Sequence, residues 1–221
     1  MIDCVIFDFD GTIADTSEGV FNCVKYALES FGIEENNIDG LRRMIGPPLR
    51  EGFSTFYGVD GEIATAKYRE KYAVEGIYQC KLYDGMEQLL ADLKERGARL
   101  AIATSKPLEY TNKILSHFGI DKYFDVVVGA TFDGTFDNKD DIVKEAIRQL
   151  GDVDIYHSYI VGDRYTDIIA GRKTGLITVG ARYGFTAAYD FERSCVECEV
   201  RNVEQLSNFL LNGVRPEFKV K

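Results

Sequence analysis

The chain has 221 residues, of which 45% are hydrophobic and 28% are charged, which is the balance of an ordinary globular protein. Its 36 acidic and 26 basic side chains give a net charge of −10, so we expect no nucleic-acid partner. No apolar run approaches the roughly 18 residues that a membrane span needs, so we expect no membrane association.

The first predicted element is a short apolar strand over residues 3–8, and it runs directly into Asp8-Phe9-Asp10-Gly11-Thr12. If the extended geometry continued, Asp8 and Asp10 would lie on the same side of the chain. Two carboxylates that close repel each other unless a cation or a proton lies between them, and oxygen ligands suit Mg²⁺. The alternative is a plain Asp-Gly turn with both carboxylates in solvent.

Residues 15–80 contain no convincing parallel strand, and we predict a helical insertion there. Apolar residues at helical spacing occur in three stretches, residues 20–31, 41–57 and 62–78. The stiffest loop of the insertion is Gly46-Pro47-Pro48-Leu49-Arg50. Arg50 is a candidate for contact with a substrate anion, and the alternative is that this loop is only a turn between helices.

A second predicted strand covers residues 99–104 and is followed by Ser105-Lys106-Pro107. Pro107 fits the first position of a helix over residues 107–118. Thr104 would then lie at a strand end beside a helix N-terminus, where a hydroxyl and free backbone N–H groups can bind a phosphate oxygen. The alternative is that Thr104 and Ser105 only cap the helix.

Lys139 begins a predicted helix over residues 139–150, with Asp137 or Asn138 as its N-cap. A lysine in the first turn opposes the helix dipole, so it is a mildly unfavourable choice there. One interpretation is that Lys139 neutralises a crowded carboxylate and phosphate site. The alternative is a solvated surface lysine. The preceding Asp133-Gly134-Thr135 repeats part of the first motif, but no apolar strand runs into it, and we interpret it as a turn.

A further predicted strand over residues 158–162 is followed by Asp163, and Asp167 comes four residues later in a predicted helix over residues 165–174. The two carboxylates are close enough in sequence to face one pocket. The alternative is that they only cap this helix and place charge in its first turn.

Strands and helices alternate along most of the chain, with further strands predicted over 125–129 and 176–180 and a helix over 84–96. This alternation predicts an α/β fold with a doubly wound parallel sheet, in which ligands bind at the carboxyl ends of the strands. We expect residues 1–14 and 81–215 to form this Rossmann-like core, residues 15–80 to form the insertion, and residues 216–221 to be a tail.

The start and the cysteines favour a cytoplasmic location. Met1-Ile2-Asp3 lacks the basic flank of a signal peptide, and five cysteines, an odd number, fit a reducing compartment. Cys195 and Cys198 have the C-x-x-C spacing of a metal or redox site. No second pair and no suitably spaced histidine accompanies them, so we interpret the spacing as incidental.

Taken together, the motif at residues 8–12, Thr104, Lys139 and the Asp163–Asp167 pair resemble, in this order, the haloacid dehalogenase-like hydrolase superfamily. The resemblance extends from residue 2 to about residue 211. It implies a Mg²⁺-dependent phosphomonoester hydrolase in which Asp8 attacks phosphorus and forms an aspartyl-phosphate. Asp10 would protonate the leaving oxygen and then activate water, and its presence argues against dehalogenase chemistry.

The resemblance also implies the residues that bind the metal and the phosphate. Magnesium would be held by the Asp8 carboxylate, the backbone carbonyl of Asp10 and Asp163, with Asp167 supporting it directly or through water. Thr104 and Lys139 would bind the phosphate and stabilise its developing charge. The candidates for contact with the substrate or for orientation of Asp10 are Thr12, Ser105 and Arg50.

The helical insertion resembles the cap domain that phosphoglycolate phosphatases, some bacterial 5′-nucleotidases and β-phosphoglucomutase share. We therefore expect a small phosphorylated metabolite as the partner, either phosphoglycolate or a nucleoside 5′-monophosphate. The segments Gly46-Pro47-Pro48-Leu49 and Gly162-Asp163-Arg164 favour the 5′-nucleotidase-like branch. A β-phosphoglucomutase-like phosphoryl transferase and a slow regulator that binds phosphorylated ligands remain alternatives, and we expect a monomer or a weak homodimer.

Overall fold

A computed structural model of the chain describes residues 1–46, 48–185, 191 and 194–216. The chain divides into two compact units, which we call the core unit (residues 1–14 and 82–221) and the inserted unit (residues 15–81). Pro47 and the last five residues of the expected tail lie outside the described residues. Within the described ranges, no helix is long and apolar enough to cross a membrane.

The strands are β1 (Cys4–Phe7), β2 (Ala14–Asp15), β3 (Lys81–Leu82), β4 (Arg99–Pro107), β5 (Val126–Ala130), β6 (Ser158–Gly162), β7 (Ile177–Ala181) and β8 (Cys198–Val200). The helices are α1 (Ser17–Glu29), α2 (Ile38–Arg42), α3 (Leu49–Tyr57), α4 (Gly61–Tyr72), α5 (Met86–Glu95), α6 (Leu108–Phe118), α7 (Lys139–Leu150), α8 (Tyr165–Thr174) and α9 (Val203–Asn212). The short strands β2 and β3 pair with each other.

The core unit contains a parallel sheet with the strand order β5-β4-β1-β6-β7-β8. The register aligns Phe7, the last residue of β1, with Ile102 of β4 and Val161 of β6. Because the carboxyl ends of parallel strands meet at one edge of a sheet, the residues that follow β1, β4 and β6 gather at this edge. The predicted doubly wound α/β fold is confirmed.

The apolar strands of the core unit are buried on both faces. Cys4 and Ile6 belong to a buried cluster that includes side chains of α7 and α8, and the alternate residues Val5 and Phe7 are also fully buried. Successive side chains of a strand point to opposite faces, so both faces of β1 are covered. This explains why β1 is a continuous apolar run and does not alternate with polar residues.

Some details of the core unit differ from the predictions. β4 continues three residues past Thr104, and α6 begins at Leu108, so Pro107 is the N-cap and not the first helical residue. The register of β4 against β5 shifts between Thr104 and Pro107, and the pairing of Pro107 with Ala130 keeps the chain extended there. The short strand β8, which contains Cys198, was not predicted at all.

The inserted unit is helical, as the apolar spacing predicts, but its helices are shorter. The stretch 41–57 is two helices, α2 and α3, and the stretch 62–78 is α4 followed by a separate 3₁₀ turn at Gly76–Tyr78. The ring of Tyr68 on α4 lies edge-on to Phe53 of α3 and stacks on Tyr72. These contacts bury the apolar sides of α3 and α4 against each other.

Candidate active site

Three buried carboxylates lie together at the carboxyl edge of the sheet. Asp8 follows β1, Asp163 follows β6 and Asp167 lies in the first turn of α8, and one oxygen from each lies within 4.8 Å of the others. Hydrogen bonds from backbone N–H groups stabilise this arrangement. The Asp8 N–H donates to the Val161 carbonyl at 2.9 Å, and the Arg164 N–H donates to Asp167 Oδ2 at 2.9 Å. The fold therefore brings together three acidic residues that the sequence singled out.

Lys139 supplies the positive charge of this cluster. It is the first residue of α7, which Asn138 caps, and its side chain is only 8% exposed. Its Nζ atom lies 2.8 Å from Asp8 Oδ1 and 2.7 Å from Asp167 Oδ1, and it donates to the Ala103 carbonyl at 2.9 Å. The lysine is buried and paired, so it is not the solvated surface residue of the alternative interpretation.

Burial and crowding perturb the ionisation of this cluster. Burial raises the pKa of Asp8 to about 6, against the attraction of Lys139 and with a further rise from the Asp167 charge. Burial, helped by the charges of Asp8 and Asp167, also raises the pKa of Asp163 well above its usual range. Burial opposes the charge of Lys139, but the carboxylates of Asp167 and Asp8 raise its pKa above the usual value.

The donor set fits a hard divalent cation. Asp163 Oδ2 accepts a hydrogen bond from the Phe185 N–H at 2.6 Å, whereas Asp163 Oδ1 is buried and has no hydrogen-bond partner among the described residues. Leaving a carboxylate oxygen buried without a partner is costly, and Lys139 pairs with only two of the three carboxylates. Oxygen ligands of this kind are those that Mg²⁺ takes in proteins.

Asp10 lies apart from the three clustered carboxylates. After β1 the chain turns back, and Asp10 forms an isolated bridge with Ala14, so extended geometry does not persist from Asp8 to Asp10. The Asp10 carboxylate accepts hydrogen bonds from Lys106 Nζ at 3.0 and 3.2 Å. Asp8 and Asp10 are therefore held by two different lysines, although the charge of Asp10 still contributes to the raised pKa of Asp8.

Lys106 also lies at this edge, and the sequence interpretation missed it. Its side chain is only 5% exposed, and its N–H donates to the hydroxyl of the buried Thr104 at 3.2 Å. Residues two apart in a strand point to the same face. Had the strand been predicted to continue past Thr104, this two-residue spacing would have placed Lys106 on the same face as Thr104. The prediction ended the strand at Thr104, so Lys106 was not identified.

The remaining candidates have different surroundings. Thr12 is fully buried, but its hydroxyl makes no hydrogen bond within the described part of the chain, so the expected contact with Asp10 is not found. Ser105 is exposed to solvent. Arg50 belongs to the inserted unit, where its Nε lies 2.7 Å from Glu62 Oε1. Asp133 accepts from the Thr135 N–H at 3.0 Å, as expected for a turn.

Comparisons with known proteins show the family to which this chain belongs. The haloacid dehalogenase-like hydrolase family matches residues 5–181. A 5′-nucleotidase from Pseudomonas aeruginosa is 35% identical over 82% of this chain and 83% of its own. The tyrosine-protein kinase PtkA from Mycobacterium tuberculosis is 36% identical over 83% of this chain, but only 63% of that protein is covered.

A solved structure is also similar over nearly its whole length. The crystal structure of a predicted phosphatase from Clostridium acetobutylicum has a TM-score of 0.88 and 34% identity, and the likeness covers 96% of this chain and 99% of that one. The match at the level of sequence family, the identity to relatives and the parallel sheet all agree. The chain is therefore an enzyme of the haloacid dehalogenase-like hydrolase family.

Proposed function

We propose that this chain is a Mg²⁺-dependent phosphomonoester hydrolase that acts on a small phosphorylated metabolite. The observation that carries the proposal is the buried group of Asp8, Asp163 and Asp167 with Lys139 as its paired cation. A hydrolase of this family with such a group has both a candidate nucleophile and ligands for a divalent cation in one place.

Asp8 is the nucleophile in this proposal. Its carboxylate oxygen attacks phosphorus as the bond to the leaving oxygen breaks, which leaves an aspartyl-phosphate. Water then hydrolyses this intermediate, releases phosphate and regenerates the carboxylate. Lys139 lies 2.8 Å from Asp8 Oδ1, where its ammonium group orients the carboxylate and offsets charge on the phosphoryl oxygens.

Asp10 transfers the protons. This role starts from the protonated carboxylic acid, which donates its proton to the leaving oxygen in the first step. The resulting carboxylate removes a proton from water in the second step, so the acid is restored. Lys106, at 3.0 Å, fixes the position of the Asp10 carboxylate, and the Thr104 hydroxyl beside Lys106 is a donor for a phosphate oxygen. Thr12 and Ser105 stay candidates for contact with the substrate.

The carboxylates of Asp8, Asp163 and Asp167 and the backbone carbonyl of Asp10 would hold Mg²⁺. When bound, the ion supplies positive charge that offsets the repulsion between the Asp8 carboxylate and an anionic phosphate. Lys139 alone cannot neutralise three carboxylates, so the site keeps an excess of negative charge that favours binding of a cation. Activity is expected to be lost in EDTA and restored by Mg²⁺.

The substrate is expected to be a nucleoside 5′-monophosphate or phosphoglycolate. The relative named 5′-nucleotidase, at 35% identity, supports the nucleotide. Phosphate release from a panel of nucleotides and small phosphate esters, compared as kcat/KM, would identify the preferred class. A preference for neither class would contradict this part of the proposal.

Phosphoryl transfer to an acceptor other than water is the alternative function. One observation favours it, namely the 36% identity to a relative named tyrosine-protein kinase. The two functions share an aspartyl-phosphate and differ in its fate. Free phosphate released in proportion to substrate consumed supports hydrolysis, whereas consumption without equal phosphate release supports transfer. If each enzyme molecule converts its substrate only once and slowly, the result would support a regulator that binds phosphorylated ligands.

The nucleophile is tested by the substitution Asp8→Asn. Removing the attacking oxygen anion should lower kcat by at least about a thousandfold while the fold is retained. Asp133→Asn is the control, because it makes the same Asp-to-Asn change in an exposed turn. Borohydride trapping of the phosphorylated enzyme should label Asp8. An Asp8→Asn activity within tenfold of the wild type would exclude this mechanism.

A further inference from the structure

A segment after β7, Tyr183-Gly184-Phe185, contacts both loops that carry the acidic cluster, and we call it the 183–185 clamp. The Phe185 N–H donates to Asp163 Oδ2 at 2.6 Å, and the Tyr183 hydroxyl donates to the Thr12 carbonyl at 2.9 Å. The clamp therefore links the loop after β1 to the carboxylate after β6.

The backbone of the clamp at Gly184 packs tightly against both loops. A Cβ atom placed on Gly184 would lie 2.2 Å from the Gly11 carbonyl oxygen and 2.5 Å from Asp163 Cβ. Gly184 does not have the positive φ that favours glycine, so the close contacts alone require a residue without a side chain here. The position of the clamp against Asp163 is thus set by tight packing.

The clamp makes the two oxygens of Asp163 unequal. Oδ2 is occupied by the Phe185 N–H, whereas Oδ1 is buried without a hydrogen-bond partner among the described residues. Asp167 shows the same use of a backbone donor, because its Oδ2 accepts from the Arg164 N–H. In both residues a backbone donor fixes one carboxylate oxygen and leaves the other to the cluster.

The clamp is anchored away from the cluster as well. The ring of Tyr183 lies edge-on to that of Tyr83, with centroids 4.8 Å apart and an angle of 72° between the rings. This contact does not involve an acidic residue. The clamp therefore has a contact that does not depend on the acidic cluster.

We infer that the 183–185 clamp is a positioning element of the metal site: its Phe185 N–H occupies Asp163 Oδ2 and thereby presents Oδ1 to the cation. Groups that hydrogen-bond to metal ligands orient them, and their loss commonly weakens metal affinity by about 10- to 100-fold. This inference rests on the proposed function, because Mg²⁺ binding is part of it. The test therefore measures Mg²⁺ affinity without substrate, and it includes a substitution of the metal ligand Asp163.

The decisive comparison is Phe185→Pro against Phe185→Ala, measured as the Mg²⁺ dissociation constant by titration calorimetry. Proline removes the N–H donor, whereas alanine keeps it and removes only the ring. Phe185→Pro should weaken Mg²⁺ binding about tenfold or more, and Phe185→Ala should stay within about threefold of the wild type. Wild-type affinity in Phe185→Pro, or equal weakening in both variants, would overturn the inference.

Gly184→Ala provides a second route if Phe185→Pro does not fold. It leaves the N–H in place but forces the clamp away from Gly11 and Asp163, so it should also weaken Mg²⁺ binding while circular dichroism reports an intact fold. Gly40→Ala is the control, because a Cβ there would meet only the flexible end of Glu35. Wild-type affinity in a folded Gly184→Ala would overturn the inference.

Asp163→Asn separates this inference from the proposed function. If the wild type binds Mg²⁺ and Asp163→Asn does not, the proposed site is established and the clamp variants decide the inference alone. If the wild type does not bind Mg²⁺, the proposed function fails and the clamp has no metal to position. The two failures are therefore distinguishable.

Discussion

Two buried lysines pair with three of the four acidic side chains of the candidate site. Lys139 lies between Asp8 and Asp167, and Lys106 pairs with Asp10. Burying an ammonium group is costly unless it is paired, and removing one partner of a buried pair leaves the other uncompensated. The two lysines face different carboxylates, so their removal should have different consequences.

We expect Lys139→Met to destabilise the protein, because two buried carboxylates lose their cation. The free energy of unfolding should fall by about 3 kcal/mol in the absence of metal, and Mg²⁺ should restore part of it. Urea denaturation with and without Mg²⁺ measures both effects. The control is Lys144→Met on the same helix, because the side chain of Lys144 is 60% exposed. Equal stability of the two variants would contradict the expectation.

We expect Lys106→Met to affect turnover more than metal binding. Asp10 loses the group that fixes its carboxylate, so kcat should fall about tenfold or more, while the dissociation constant for Mg²⁺ stays within about twofold. Lys113→Met on α6 is a suitable control, because Lys113 is exposed and its ion pair with Glu109 is local to that helix. A kcat equal to that of the wild type would show that Lys106 does not position Asp10.

At the scale of elements, an ion pair ties the amino ends of the strands. Arg99, the first residue of β4, donates to both carboxylate oxygens of Asp3 at 2.7 and 2.6 Å. Asp3 Oδ2 also accepts from the Asp154 N–H at 2.8 Å. The start of β4, the residue before β1 and the segment before β6 are thus linked at the edge opposite the candidate site.

This ion pair should make stability depend on pH. Hydrogen bonding by Arg99 lowers the pKa of Asp3 even though partial burial opposes this shift. A carboxyl whose pKa is lower in the folded state stabilises the protein above its unfolded pKa of about 3.9, and this contribution is lost as the pH falls through the folded pKa.

Asp3→Asn should therefore lower the free energy of unfolding by about 1–2 kcal/mol at pH 7, and the difference from the wild type should shrink toward pH 3. Urea denaturation at several pH values measures this difference. A difference that stays constant between pH 7 and pH 3 would show that the charge of Asp3 is not its source.

At the scale of the whole molecule, two separately packed units share one chain. The acidic cluster and both lysines belong to the core unit, and Arg50 belongs to the inserted unit. Arg50 pairs with Glu62, and the two side chains are 60% and 66% exposed. An exposed pair of this kind contributes little to stability, so neither residue is needed for the fold.

We expect the inserted unit to influence which phosphate ester is preferred. Arg50→Ala should lower kcat/KM for the best natural ester while the hydrolysis of p-nitrophenyl phosphate changes less. Glu62→Gln is a matched variant, because it breaks the same ion pair but leaves the arginine. If Arg50 contacts substrate, only Arg50→Ala should change the ranking of esters. Equal profiles for both variants would show that Arg50 is only structural.

The fold class and the strand-end position of the main acidic residues follow from the amino-acid sequence alone. Apolar runs and helical spacing are local signals, so they suffice to place Asp8 and Asp163 after strands and Lys139 at a helix start. The same spacing also predicts the helical insertion, although not the break between α2 and α3.

Which groups meet at the site depends on the folded chain. β4 extends past Thr104 because of pairing with β5, and that extension places Lys106 against Asp10, 96 residues away. The Phe185 N–H donates to Asp163, which lies 22 residues away in the chain. Because every residue except proline has a backbone N–H, the sequence does not indicate which one makes this contact. Local periodicity sets the elements, whereas contacts between distant segments depend on hydrogen bonding and packing that form only when the chain is folded.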